Sequence, residues 1–124
     1  MDISVVIPLY NEEESLKELH DRIRKVMQDN DYSYEIIFVD DGSTDNSWEV
    51  ITQLRSEAEQ VKAIKFRRNY GKSPALHCAF EKALGKVIIT MDADLQDSPE
   101  EIPEFVNIIL VHEYNLNLCI IALC

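Results

Sequence analysis

Thr90-Met91-Asp92-Ala93-Asp94-Leu95-Gln96-Asp97 follows directly on the apolar run Val87-Ile88-Ile89, and the reading of that junction decides the fold. An apolar strand that ends in carboxylates puts charge where a sheet meets solvent. Along an extended chain, side chains two residues apart lie on the same side. Asp92, Asp94 and the Gln96 amide are therefore expected to converge, with Ala93 and Leu95 facing the other way. Two carboxylates and an amide oxygen make a hard-oxygen half-shell suited to Mg²⁺ or Mn²⁺, ions that keep their remaining positions for water and substrate phosphate. The same residues also read as a polar strand-to-helix loop in which Asp94 or Ser98 caps a helix.

The chain upstream favours the first reading. Ile3-Ser4-Val5-Val6-Ile7-Pro8-Leu9 is nearly continuous in β-branched residues, which predicts a strand buried on both faces, its ladder ended by Pro8. Asn11-Glu12-Glu13-Glu14-Ser15 opens a helix with acids in its first turn, and Leu16, Leu19, Ile23, Val26 and Met27 give it one apolar face. Residues 35–39 form a second buried strand ending at Asp40-Asp41-Gly42-Ser43, and a helix follows from about Asp45. Residues 61–66 read as a third strand and 73–84 as a third helix, with Gly85 as its stop. After the strand at 87–91, Pro99 begins a last helix capped by Asp97 or Ser98.

Strand and helix alternate four times, so the fold class is α/β with a mainly parallel sheet and flanking helices. Crossovers in such sheets are right-handed, and ligands gather outside the carboxyl ends of the strands. The polar clusters after the first, second and fourth strands all fall on that edge. Their convergence lifts the Asp92/Asp94 pair above an ordinary loop.

Composition narrows the class. A chain of 124 residues is at most one domain, and 46% hydrophobic with 28% charged residues is ordinary for a globular chain. The net charge of −11 argues against nucleic acid, or an anionic membrane surface, as the main partner. Cys78, Cys119 and Cys124 match no zinc spacing, and a sparse, odd set fits a reducing compartment; Cys78 reads as a small core residue. A basic leader is missing and no run reaches about 18 apolar residues, so the expected location is cytoplasmic, with any membrane met from its surface. Residues 108–111 and 118–123 are apolar and would leave an edge uncovered. They pack on the sheet, belong to something larger, or meet a second copy of the chain.

Other motifs separate by spacing. A calcium loop starting at Asp41 needs Gly at its sixth position and Glu at its twelfth, where Asn46 and Thr52 stand. A receiver-type pocket would carry its acid pair after the first strand, where Asn11-Glu12 stands. Of Asp40 and Asp41, one is expected to build the turn and the other to accept hydrogen bonds from a ribose or base. In Arg67-Arg68-Asn69-Tyr70-Gly71-Lys72, Gly71 reads as a turn residue, and Arg68 and Lys72 as candidate phosphate contacts. His20, His77 and His112 lie on separate elements without metal spacing.

With these residues in hand, the chain resembles a family 2 glycosyltransferase of the Rossmann-like GT-A fold, in the branch of dolichyl-phosphate mannose synthases and polyprenyl-phosphate glycosyltransferases. The resemblance rests on Val6-Ile7-Pro8-Leu9-Tyr10-Asn11-Glu12-Glu13, Val39-Asp40-Asp41-Gly42-Ser43-Thr44-Asp45, Arg68-Asn69-Tyr70-Gly71-Lys72 and Met91-Asp92-Ala93-Asp94-Leu95-Gln96-Asp97, in the family's order. It implies a nucleotide-diphosphate sugar donor and a polyprenyl or dolichyl phosphate acceptor. Pro8, Tyr10 and Glu12 would line the nucleoside site, with Val39 and Asp40 or Asp41 at the base or ribose. Lys72, Met91 and Ala93 complete the donor contacts. Asp92 and Asp94, helped by Gln96, would hold Mg²⁺ or Mn²⁺ on the diphosphate.

Residues 1–104 then correspond to the donor-binding half of the domain, and 105–124 to an apolar tail that does not continue the family's pattern. The acceptor-side base of such enzymes has no counterpart here, so no catalytic residue is assigned. Two other readings stay open: a non-catalytic nucleotide-binding fragment, and a nucleotidyltransferase, although residues 10–15 lack that class's glycine- and lysine-rich loop.

Overall fold

All seven residues of the first strand, β1 (Ile3–Leu9), are buried, as are all seven of β2 (Tyr34–Asp40) and all five of β4 (Val87–Met91). A strand with no wet face needs helices on both sides. The computed structural model describes residues 1–111 and 119–123 and supplies them: α1 (Leu16–Asp29), α2 (Ser47–Glu57), α3 (Lys72–Lys82) and α4 (Ile102–Val111). With β3 (Val61–Lys65) and β5 (Cys119–Leu123), the strands form one sheet in the order β3-β2-β1-β4-β5, every neighbouring pair parallel. The α/β expectation holds. His112 and Cys124 lie outside the described residues.

Strand alternation divides the core in two. Ile3, Val5, Ile7 and Leu9 pack with Tyr34, Ile36 and Phe38, with Val87, Ile89 and Met91, and with the apolar faces of α1, α2 and α4. Val6, Ile37, Val39 and Ile88 face the other way, against Ala75 and Ala79 of α3. Small residues let α3 sit close to the sheet. Cys78, expected in the core, is only half-buried beside this contact.

Several ends differ from the sequence reading. Residues 11–15 form turns rather than the first turn of α1, with Asn11 in the left-handed region at φ 53°. Pro8 ends only one ladder: β4 pairs with β1 as far as Val6, while β2 follows it to Leu9. Gly85 does not stop α3, which ends at Lys82 with an extended Ala83. Its lack of a side chain serves a close approach, since a Cβ there would lie 2.5 Å from the Ser4 nitrogen. The last helix opens on a 3₁₀ turn (Pro99–Glu101), and no side chain caps it.

Glu35 closes the amino edge of the sheet. It is 1% exposed and accepts hydrogen bonds from the Ser4 hydroxyl at 2.5 Å and the Leu84 N–H at 2.6 Å, with Lys62 Nζ at 2.5 Å. Burial works to raise its pKa, but Lys62, Ser4 and Leu84 outweigh it and hold the carboxyl below its usual range. Lowered pKa means that its stabilisation is present above the unfolded-state value near 4.5 and is lost as pH falls through the folded-state value. Glu35→Gln is expected to cost about 2 kcal/mol at neutral pH, part of the pair being screened at the exposed lysine. It should also flatten the fall of the urea midpoint below pH 5; an unchanged midpoint and acid limb would contradict this role.

Candidate functional site

The strands' carboxyl ends leave main-chain N–H groups beyond the ladder, and short polar side chains collect them. Asn11 Oδ1 accepts from the N–H groups of Thr44 at 2.8 Å and Asp45 at 3.2 Å, and the Asn11 N–H donates to Ser43 Oγ at 2.9 Å. Glu12 N–H donates to the buried Ser47 Oγ at 2.9 Å, and Glu13 N–H to Asp45 Oδ2 at 3.3 Å. The loops after β1 and β2 are thus one unit. Burial favours a higher pKa for Asp45, but donors from Ser47 and the Glu13 N–H prevail and lower it.

Asp40 and Asp41 divide their work differently from the sequence expectation: Asp40 both builds the turn and keeps an oxygen without a partner among the described residues, while both oxygens of Asp41 are taken up by the next loop. Asp41, 6% exposed, accepts the Tyr70 N–H on Oδ1 at 2.7 Å and the Gly71 N–H on Oδ2 at 3.0 Å, pinning the β3–α3 loop. Asp40, fully buried, accepts the Ser43 N–H on Oδ1 at 2.8 Å. Its Oδ2 is buried without a hydrogen-bond partner among the described residues. An unbonded buried carboxylate oxygen is costly, and a ligand N–H or O–H would relieve it. Gly42 lets the two loops meet: at φ 78°, a Cβ on it would lie 2.6 Å from the Asn69 nitrogen.

β4 ends at Met91, so the metal reading changes its basis. Asp92 to Gln96 is a turn rather than an extended segment, with Leu95 at φ 65°, and alternation does not bring Asp92, Asp94 and Gln96 together. Asp97 Oδ2 accepts the Asp92 N–H at 2.9 Å, closing that turn instead of capping a helix, and Asp94 Oδ1 accepts the Gln96 N–H at 3.2 Å. Lys72 Nζ lies 2.9 Å from Asp92 Oδ1. The Ser15 hydroxyl donates to the Ala93 carbonyl, tying this turn to the loop after β1.

The edge therefore gathers Tyr10, Glu12, Asp40, Asp41, Lys72, Asp92 and Asp94 around interlocked loops. Pro8, Val39, Met91 and Ala93 are buried, Val39 and Met91 in the two core layers. Arg68 stacks on its loop neighbour Tyr70, its guanidinium 4.7 Å from the ring centre. Asn11, Ser47 and Asp97 do not stand out as site residues by spacing. Asn11 and Ser47 act through main-chain N–H groups of another loop and Asp97 through one of its own turn, and only Asn11, in place of a helix start, leaves a trace in sequence.

Asn11, Glu12, Glu13, Glu14, Ser15, Asp45 and Leu95 line a cleft of about 450 Å³ on this edge. Its acidity repels an anionic ligand unless a cation comes with it. A larger cleft of about 620 Å³ lies at the opposite edge, between Arg24, Gln28, Asp31, Glu57 and Gln60. Size is outweighed there by topology, because parallel sheets present ligands with their carboxyl ends. The described residues hold no group of three or more His, Cys, Asp or Glu that would chelate a metal. Two carboxylates fit an ion that takes its other ligands from phosphate and water, as Mg²⁺ does.

Solved structures with this fold define its class. S. aureus TarS in complex with UDP-GlcNAc superposes with a TM-score of 0.71 at 24% identity, over 90% of this chain and 32% of that one. The mannosyltransferase PcManGT of Pyrobaculum calidifontis, in complex with GDP-Man and Mn²⁺, gives 0.71 at 24% identity, over 86% and 31%. The fold is that of the GT-A glycosyltransferases. The chain belongs to glycosyl transferase family 2, whose model matches residues 4–124. An undecaprenyl-phosphate 4-deoxy-4-formamido-L-arabinose transferase of Pectobacterium carotovorum is 48% identical over 106 residues, 85% of this chain. The chain spans about a third of that relative, 32% of its length.

The Asp41 clamp is directly measurable. Charge-assisted bonds to main-chain N–H groups contribute about 1.5–3 kcal/mol each. Asp41→Ala is expected to speed hydrogen exchange at the Tyr70 and Gly71 amides by about tenfold or more, leaving the β1 amides protected. Unchanged exchange at both would show that the loop is held by other contacts.

Proposed function

We propose that this chain forms the donor-binding part of a glycosyltransferase that takes a sugar from a nucleotide-diphosphate sugar and transfers it to a polyprenyl phosphate. The observation that carries the reading is Asp40 Oδ2, a buried acceptor without a donor among the described residues, at the edge where three polar loops interlock. A nucleobase N–H or a ribose hydroxyl supplies the missing donor, with Tyr10 and Glu12 on the neighbouring loop and Pro8 and Val39 beneath. Lys72, beside Met91 and Ala93, faces the diphosphate end.

Asp92 and Asp94, with Gln96 next to them, are the residues that would hold Mg²⁺ or Mn²⁺. Bound there, the ion would offset the charge growing on the departing nucleoside diphosphate. Affiliation supports the donor: the matched mannosyltransferase is a complex with GDP-Man and Mn²⁺, and TarS a complex with UDP-GlcNAc. The name of the 48% identical relative supports an undecaprenyl-type acceptor. A phosphate acceptor is already anionic and attacks the anomeric carbon through its own oxygen, while the nucleoside diphosphate leaves with the bonding pair. Such an acceptor would bring the protein to a membrane surface; no helix among the described residues is long and apolar enough to cross one.

Calorimetry with UDP and GDP, with and without Mn²⁺, tests the donor site. Binding is expected to strengthen with Mn²⁺, to fall by about tenfold or more in Asp40→Asn, and to lose its Mn²⁺ dependence in Asp94→Ala. Equal affinities in wild type and both variants would overturn the reading. Transfer of labelled sugar to polyprenyl phosphate then separates a complete enzyme from a donor-binding portion, which would bind without turning over.

A further inference from the structure

We propose that Lys72 is the resident counter-ion of Asp92, exchanged for the divalent cation when the donor diphosphate arrives, so that cation and diphosphate bind as a linked pair. The inference rests on the donor reading above and adds an order to it. Lys72 is the first residue of α3, directly after Gly71, whose φ of 101° turns the chain into the helix. Asp41 fixes that turn by taking the N–H groups of both Tyr70 and Gly71. The base of the lysine is therefore held, while its long stem carries Nζ to 2.9 Å from Asp92 Oδ1. Asp92 is fixed in turn by Asp97, which accepts its N–H.

Both charged ends are accessible, 53% for Lys72 and 43% for Asp92. An ion pair this exposed contributes at most about 1 kcal/mol, so it can be exchanged without unfolding anything around it. A cation arriving alone has to displace the ammonium from Asp92 and then sit beside it. Diphosphate changes that balance, because it offers Lys72 an anionic partner a short swing away and brings its own oxygens to the cation. Linkage makes the effect reciprocal: whatever factor the nucleotide adds to cation affinity, the cation adds to nucleotide affinity. In a rim as acidic as Glu12-Glu13-Glu14, a single well-placed lysine also keeps stray cations from Asp92 until the nucleotide is there.

Mn²⁺ titrations of the whole chain, followed by water-proton relaxation or calorimetry, test this without turnover. In Lys72→Met, Mn²⁺ alone is expected to bind about fivefold more tightly than in wild type, the equivalent of an exposed pair near 1 kcal/mol. The factor by which UDP or GDP raises Mn²⁺ affinity should shrink in the same variant. Lys72→Arg, which keeps the charge, should restore both wild-type behaviours. Unchanged Mn²⁺ affinity in Lys72→Met, or an undiminished nucleotide factor, would overturn the exchange while leaving the donor site standing. Wild type that binds nucleotide but no Mn²⁺ would overturn it as well, and failure to bind either would sink the donor reading with it.

Discussion

Parallel strands that stop at a common edge leave main-chain N–H groups with no further strand to bond, and the rest of this structure depends on how that demand is met. Short polar side chains answer them, two from a different loop and one from within its own turn. Asn11 serves Thr44 and Asp45, Asp41 serves Tyr70 and Gly71, and Asp97 serves Asp92. Because the acceptors are short side chains, the loops they join are drawn close, and Gly42 is the point where closeness leaves no room for a Cβ. The outcome is a set of loops held in fixed relation, carrying carboxylates that the fold does not consume. Asp40 keeps one buried oxygen without a partner among the described residues, and Asp92 is held by a lysine that solvent reaches.

The opposite edge follows the same rule for a different end. Glu35 gathers Ser4, Lys62 and the Leu84 N–H, and Gly85 passes so near β1 that only a hydrogen fits. The carboxylate there meets donors supplied by the chain itself, and the result is a closed seam. Glu35 Oε1 also lacks a hydrogen bond but has the Lys62 ammonium of the chain itself against it at 2.5 Å, whereas Asp40 Oδ2 has no partner among the described residues, and that contrast is the physical ground for placing the ligand.

Much of this was legible in sequence, for definite reasons. β1, β2 and β4 are apolar at almost every position because both faces are covered, and a strand with one wet face would alternate instead. Acids after those strands gave the edge its polarity, and four ordered motifs gave the family. What stayed hidden was conformation inside the loops. Asp92 and Asp94 look alternated only if the strand continues, and β4 stops at Met91. Gly85 looks like a helix stop until its distance to Ser4 is known, and nothing local announces that Asp41 holds the loop of Arg68 and Lys72. Such outcomes turn on contacts between residues far apart in the chain, which local pattern does not encode.

The central claim is that a sugar nucleotide and its cation sit on the edge where Asp40, Lys72, Asp92 and Asp94 meet. Paramagnetic broadening by Mn²⁺ in the presence of nucleoside diphosphate tests it most directly, read on the backbone amides. Signals of residues 92–96 and 70–72 should disappear first and those of residues 11–13 next, while Ser4, Glu35 and Gly85 stay sharp. Broadening centred on the cleft between Arg24 and Glu57, with residues 92–96 unaffected, would contradict the account.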